Sequence, residues 1–154
     1  ALFFWVPLFF VFLCLSPAHA DNGDVVFSLE AGGDVSSTAG FVATVRYGLS
    51  DELSLESGLG ATLIGGDEPR RQGALGSLGG VLALDVLAWV PELTAGVGSN
   101  LVAGEFEPFA YGGLKIRWVL DFNWSLFVGG EGILPLTNLD FSGRGCVGVS
   151  YQLD

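Results

Sequence analysis

Acyl transfer at a serine or cysteine needs a base to take the nucleophile's proton, most often a histidine. This chain of 154 residues has one histidine, His19, and it lies in an apolar N-terminal segment. Cys14 lies in the same segment, preceded by Leu13, where a lipid-attachment site would need a small residue. Cys146 has no base near it in the sequence and reads as a small strand residue rather than a reactive thiol. With one cysteine after residue 20, neither an internal disulfide nor a thiolate metal cluster is expected. No H-E-x-x-H, Walker or calcium-loop motif occurs. The acidic runs "GGDE" (65–68) and "EFE" (105–107) offer carboxylates for a cation or for acid–base work. Nothing in the sequence builds a pocket around them, so they read as solvated loop acids. The expectation is therefore no catalytic residue, no metal and no cofactor.

The other charges follow a pattern. In "LSLESGLGATLI" (53–64) apolar and polar positions alternate, with leucines at 53, 55, 59 and 63 and one slip at Ser57. Period two is the signature of a strand with one greasy and one polar face. The same alternation recurs over 24–33, 40–48, 77–86, 92–100, 109–118, 124–134 and 143–153, separated by turn residues. That makes eight strands. Every charge placed in mid-strand falls on the polar parity: Glu30, Arg46, Glu56, Asp85, Lys115, Arg117, Glu131 and Arg144, with Glu92 at the start of the fifth strand on the same face.

Two arrangements fit such strands. In a soluble barrel or sandwich the leucines turn inward; in a membrane barrel they face lipid and the polar face lines the lumen. The polar face here is mostly Gly, Ser and Thr with a few charges of both signs, which suits the crowded interior of a narrow barrel. Leu55, Leu59, Leu82, Leu84, Leu114, Ile116, Val128 and Val147 are then expected to face lipid. Tyr47, Trp89, Phe109, Trp118, Phe122, Trp124 and Tyr151 gather near strand ends, as interfacial girdles require. Connections near 34–38, 65–74, 100–108 and 135–142 are assigned to one rim, and the short turns at 48–52, 87–91 and 119–123 to the other, with Asp21 and Asp154.

Residues 2–15, "LFFWVPLFFVFLCL", are apolar throughout and are followed by Ala18-x-Ala20, a small-residue cleavage site. This pattern predicts a helical signal peptide over 1–20, its charged beginning missing because the sequence starts at Ala1, and one barrel domain over 21–154. Seventeen acids and six bases all fall after residue 20, so nucleic acid is not an expected partner.

The stretches "YGLSDELSLESGLGATL" (47–63), "LDVLAWVPELTAGVG" (84–98) and "WSLFVGGEG" (124–132) resemble small bacterial outer-membrane barrels of the OmpA-like and OmpX-like kind. The resemblance implies an all-β fold, an eight-stranded antiparallel up-and-down transmembrane barrel in the outer membrane of a Gram-negative bacterium. The last strand resembles the insertion signal read by the outer-membrane assembly machinery, with Gly148, Tyr151 and Leu153 at the matching positions. Leu153 stands where an aromatic is usual, and Asp154 follows it. The resemblance further implies a monomer whose partners are outer-membrane lipid and that machinery.

Three functions compete. The first is a non-enzymatic integral barrel serving envelope structure or surface interaction, its lumen filled. The others are a barrel enzyme that modifies lipids and a soluble lipocalin-like binder of an apolar ligand. For the first, a lumenal charge network is expected, because buried charges need partners. Counting back from the turns pairs Arg46 with Glu56 and Glu131 with Arg144. Asp85 and Glu92 come face to face, relieved by Lys115 and Arg117.

Overall fold

A computed structural model describes residues 23–34, 38–64, 71–84 and 89–153. The expected signal peptide and Asp85 lie outside these residues. Eight strands follow one another in chain order: β1 (Val25–Asp34), β2 (Thr38–Gly48), β3 (Leu53–Ile64), β4 (Arg71–Ala83), β5 (Trp89–Val102), β6 (Glu105–Val119), β7 (Trp124–Pro135) and β8 (Ser142–Leu153). Each pairs antiparallel with the next, and β8 pairs with β1 to close the barrel. Closure leaves no sheet edge unpaired, the condition for strands to cross lipid.

The registers set the barrel's shape. Cα partners run from Asp34 through Arg144, Glu131, Gly113, Thr94, Val81, Ser54 and Gly48. Gly48 then donates its N–H to the carbonyl of Asp24, so the path re-enters at the foot of β1, ten residues below its start. That stagger tilts the strands by about 40°. Ten tilted residues rise about 25 Å, the height of the apolar band of such barrels.

The alternation decides which face is which. Leu59 is 73% exposed and Phe41 57%, whereas Val81 and Glu92 are each 1% exposed. Leu55, Leu82, Leu84, Leu114, Val128 and Val147 are exposed on the outer face, with Ile116 partly so. Apolar side chains face outward and charges inward, the reverse of a lipocalin-type cup, and the fold is that of a transmembrane barrel.

Three expectations change. β4, β5 and β6 are longer than the alternation indicated, and no eight-residue loop separates β5 from β6. Val102 pairs with Glu105, and Ala103 (φ 53°) and Gly104 (φ 86°) make a two-residue turn between them. Positive φ at both central residues gives the turn whose twist matches a hairpin. The charges of "EFE" masked a continuing strand in which Leu101 and Phe106 pair on the outer face. Second, Phe109 is no girdle residue: it is buried inside with Val42 and Leu75. It shares parity with Tyr111 and Lys115, so the pleat turns it inward. Third, the tryptophans and tyrosines of the outer face gather at one end only. Tyr47, Trp89, Trp118, Trp124 and Tyr151 ring the rim where the described chain begins and ends, at the start of β1 and the end of β8, Trp89 opposite Trp118 and Trp124 edge-on to Tyr151 at 4.9 Å. At the other end the outer face finishes in leucine and phenylalanine, including Leu63, Leu101, Phe106 and Phe141.

Candidate functional site

The lumen holds the charges, and glycine makes room for them. A Cβ at Gly129 would strike the Lys115 side chain, and one at Gly113 would strike Glu131. Gly98 likewise receives the Phe109 ring, Gly96 and Gly79 receive Tyr111, and Gly148 receives Phe127. In most of these cases the large residue and its glycine are direct cross-strand partners. A narrow barrel cannot take two large side chains side by side on its concave face, so large and small positions alternate around it.

Eight charges form two groups. In the lower one, nearer the chain ends, Arg46 is the hub. Its Nη1 and Nη2 donate to the two oxygens of Glu92 at 2.7 and 3.1 Å, and Nη2 and Nε donate to Glu56 Oε2 at 3.0 and 3.4 Å. Arg117 Nε lies 2.8 Å from Glu92 Oε1. In the upper group Lys115 and Arg144 alternate with two carboxylates in a ring. Lys115 Nζ is 2.6 Å from Glu30 and 3.2 Å from Glu131; Arg144 Nη2 binds Glu131 and lies 3.6 Å from Glu30. Lys115 Nζ also sits 5.3 Å from the centre of the Phe127 ring, within cation–π range. Each group carries two acids and two bases, so the formal charges of each cancel.

Apolar side chains flank these groups on both sides. Val26, Val81, Val90 and Val119, interspersed with buried Ser54, Ser125, Ser150 and Gln152, lie toward the chain ends; Val42, Leu75 and Phe109, with Tyr111 and Ile133 packed against them, lie toward the other rim. Where the upper group meets the apolar cluster, a cavity of about 20 Å³ is lined by Glu30, Lys115, Glu131, Phe109 and Tyr111 among others. Such a space holds about one water.

The adjacent-strand pairs Arg46–Glu56 and Glu131–Arg144 are brought together as direct Cα partners. The third pairing is different. Glu92 faces Ala83 across the β4–β5 pair, not Asp85, and β4 ends three residues earlier than the alternation suggested. Lys115 is the Cα partner of Glu92, yet its ammonium goes to Glu30 and Glu131; Arg117 alone of the two makes an ion pair with Glu92. The contacts Arg46–Glu92, Lys115–Glu30 and Arg144–Glu30 had no signal in the turns. The first two cross the lumen between strands that do not pair, and the third crosses the closing β1–β8 seam.

Cys146 Sγ lies within 4.8 Å of one oxygen of Glu30 and one of Glu131, a grouping that contains metal-ligand types. Both carboxylates already hold Lys115 and Arg144. A divalent cation would have to displace two fixed cations, which the local charge balance opposes. Of the three residues with an insertion-signal pattern, Tyr151 and Leu153 face outward near the end of β8, while Gly148 faces inward beneath Phe127.

No protein-family model matches the chain, and no curated protein matches it. Solved structures do. The chain is similar to the N-terminal β-barrel domain of Pseudomonas aeruginosa OprF (TM-score 0.72, 15% identity, covering 86% of this chain and 98% of that one). It is also similar to Neisserial surface protein A (TM-score 0.61, 13% identity, 86% and 97% covered) and to the Yersinia pestis attachment invasion locus protein Ail (TM-score 0.56, 14% identity, 86% and 99% covered). A de novo designed transmembrane β-barrel matches as well (TM-score 0.63, 17% identity, 88% and 99% covered). Eight-stranded outer-membrane barrels therefore share this fold.

Proposed function

We propose that the protein is a non-enzymatic integral barrel of the bacterial outer membrane, exported by its N-terminal segment, with a lumen that serves as a filled core rather than a pore. One observation carries the reading: apolar side chains face outward around the whole barrel while the inward charges are matched four against four. The outward belt suits lipid contact. Neutral, mutually paired groups between two apolar layers suit a plug, since an open conduit keeps its charges hydrated. The fold likeness to outer-membrane barrels supports the location.

The role lies in envelope structure or in surface contact through the rims. The rim distant from the chain ends carries Asp34, Glu105, Glu107 and Asp140 at or near its strand ends, against Arg71 at the start of β4 and Arg70 just before it in the sequence. Ail has been crystallised with the heparin analogue sucrose octasulfate. An acidic rim favours a cationic partner over a polyanion of that kind. Recognition by the assembly machinery through Tyr151 and Leu153, and a monomeric state, complete the reading.

The test is mobility in SDS gels without and with boiling, on protein taken from isolated outer membranes. A folded barrel runs at a different position until boiled, and extraction requires detergent. Release into buffer without detergent, or one mobility under both conditions, would refute the proposal. Planar-bilayer recordings check the plug separately: large stable conductance would show an open lumen.

A further inference from the structure

The rim away from the start of β1 carries an apolar crown on one side. Phe106 on β6, Leu136 just past β7, Leu139 in the β7–β8 connection and Phe141 just before β8 are each more than half exposed. Leu136 N–H donates to the Pro108 carbonyl, which sets that leucine beside the Phe106 end of β6. A Cβ on Gly132 would strike the Phe141 ring, so the ring lies across β7. Phe106 is twelve residues from Trp118 along β6, and Leu136 twelve from Trp124 along β7. With a rise of about 2.5 Å per residue at this tilt, both stand about 30 Å above those tryptophans. The apolar band of such a barrel is about 25 Å tall. The crown therefore clears the hydrocarbon, where contiguous apolar side chains mark a contact surface for another molecule.

Leu139 is also held in a strained conformation. Its φ is 60°, in the left-handed region that favours glycine or asparagine. Asn138 stands one position earlier, and the turn gives the left-handed place to the leucine. Leu139 N–H donates to the Pro135 carbonyl at 3.0 Å, and Asp140 N–H to Asn138 Oδ1 at 3.1 Å. A fixed turn that gives up stability to hold a leucine in the open points to a role for that side chain in contact.

Charge selects the occupant. Glu105 and Glu107 flank Phe106, Asp140 stands between Leu139 and Phe141, and all three acids are exposed. Residues 101–114 and 132–143 contain no lysine or arginine. The acids and the apolar side chains share three consecutive strands, a span of about 10 Å across the sheet. A second copy of the crown would bring like charges together; a cationic segment with apolar side chains meets both features.

We propose that this crown docks a cationic amphipathic peptide segment, its apolar side chains on Phe106, Leu136, Leu139 and Phe141 and its lysines or arginines beside Glu105, Glu107 and Asp140. The inference rests on the surface-contact reading above and adds the place and the partner's chemistry.

Fluorescence anisotropy tests it on the full chain in phosphatidylcholine nanodiscs, with empty discs as the reference. The probes are a labelled short peptide alternating lysine with leucine and two counterparts, glutamate with leucine and lysine with serine. The lysine–leucine peptide should bind about ten-fold tighter than either counterpart, the sum of a few exposed charge pairs. Glu105→Gln, Glu107→Gln and Asp140→Asn together should equalise the lysine and glutamate peptides. Leu139→Gly should raise the urea midpoint and weaken the lysine–leucine peptide. Phe106→Lys with Leu139→Lys should abolish its binding yet fold into vesicles with the wild-type yield. No binding beyond that of empty discs, equal binding of the three peptides by the wild type, or unchanged binding by these variants overturns the inference. A collapse in the folding yield of the double lysine variant would assign the crown to lipid, and a dimer in the discs would assign it to a second copy; either overturns it. Protein without a boiling-dependent mobility shift would instead refute the barrel reading itself.

Discussion

Arg46 shows how much one side chain can carry in so narrow an interior. It holds Glu56 and Glu92 at once, and all three are buried. Arg46→Ala leaves Glu56 without its cation and Glu92 with Arg117 alone. The expected cost is about 3–5 kcal/mol, that of a buried charge stripped of its partner. Arg46→Ala with Glu56→Ala should cost less than the single change, because no unpaired carboxylate remains at position 56. Urea titrations in detergent measure both; absence of coupling would show that the pair does not act as a unit. The pleat supplies a second comparison, at adjacent residues. Lys115 is native and faces inward, whereas its neighbour Leu114 is exposed on the outer face. Leu114→Arg is expected to cost roughly 2–4 kcal/mol, as charges do at mid-depth on a barrel's lipid face. Folding yields of Leu114→Arg and Lys115→Arg in lipid vesicles distinguish them: the first should fall sharply and the second little.

At the scale of elements, the β5–β6 hairpin is where charge hid structure. Its turn places Ala103 at φ 53°, in the left-handed region where a Cβ is crowded. Ala103→Gly removes that crowding, and Ala103→Asn meets the preference of this turn type. Either change should raise the unfolding free energy, by about 1 kcal/mol. A drop in the urea midpoint would mean that Ala103 makes a contact outweighing its backbone cost. The connection between β3 and β4 behaves otherwise. Arg71 opens β4, on the rim opposite the start of β1, and Arg70 precedes it in the sequence. Proteinase K added to intact cells is expected to cut near Arg70 and Arg71 and to leave the 120–123 turn untouched. Cleavage at an inserted site in 120–123 alone would invert the orientation in the membrane.

For the whole molecule, closure and stagger decide the character of the lumen. Eight strands staggered by ten residues make a barrel narrow enough for side chains to fill its interior. The paired groups hold one another across it: Arg46 links β2 to β5, and Lys115 links β6 to β1. Reconstituted protein should therefore show no general diffusion of small solutes. Glu92→Ala with Glu56→Ala leaves Arg46 without either carboxylate and should lower stability before it creates any lasting conductance; liposome-swelling assays beside urea titrations order the two effects. The eight lumenal charges cancel formally, so the net charge of −11 comes from residues outside the two lumenal groups. One rim is ringed by tryptophan and tyrosine and the other ends in leucine and phenylalanine, so the molecule meets its two membrane interfaces differently.

What was legible in the sequence follows from the pleat. Period two places side chains on alternate faces whatever the barrel's size, so Leu59 and Arg46 were sorted by parity alone. Adjacent-strand partners came with it where a short turn or a good count fixed the register, as for Arg46 with Glu56 and Glu131 with Arg144. Phe109 was misplaced because its position near a strand end drew more weight than its parity, and the β5–β6 turn because glutamates were read as loop residues. Which face meets lipid, and which strands meet across the lumen, are properties of closure. Lys115 reaches Glu30, and Arg46 reaches Glu92, only once curvature brings non-neighbouring strands within a side chain's length. No local pattern carries that information, since the same strands in an open sheet would keep their registers and their parity and never make those contacts.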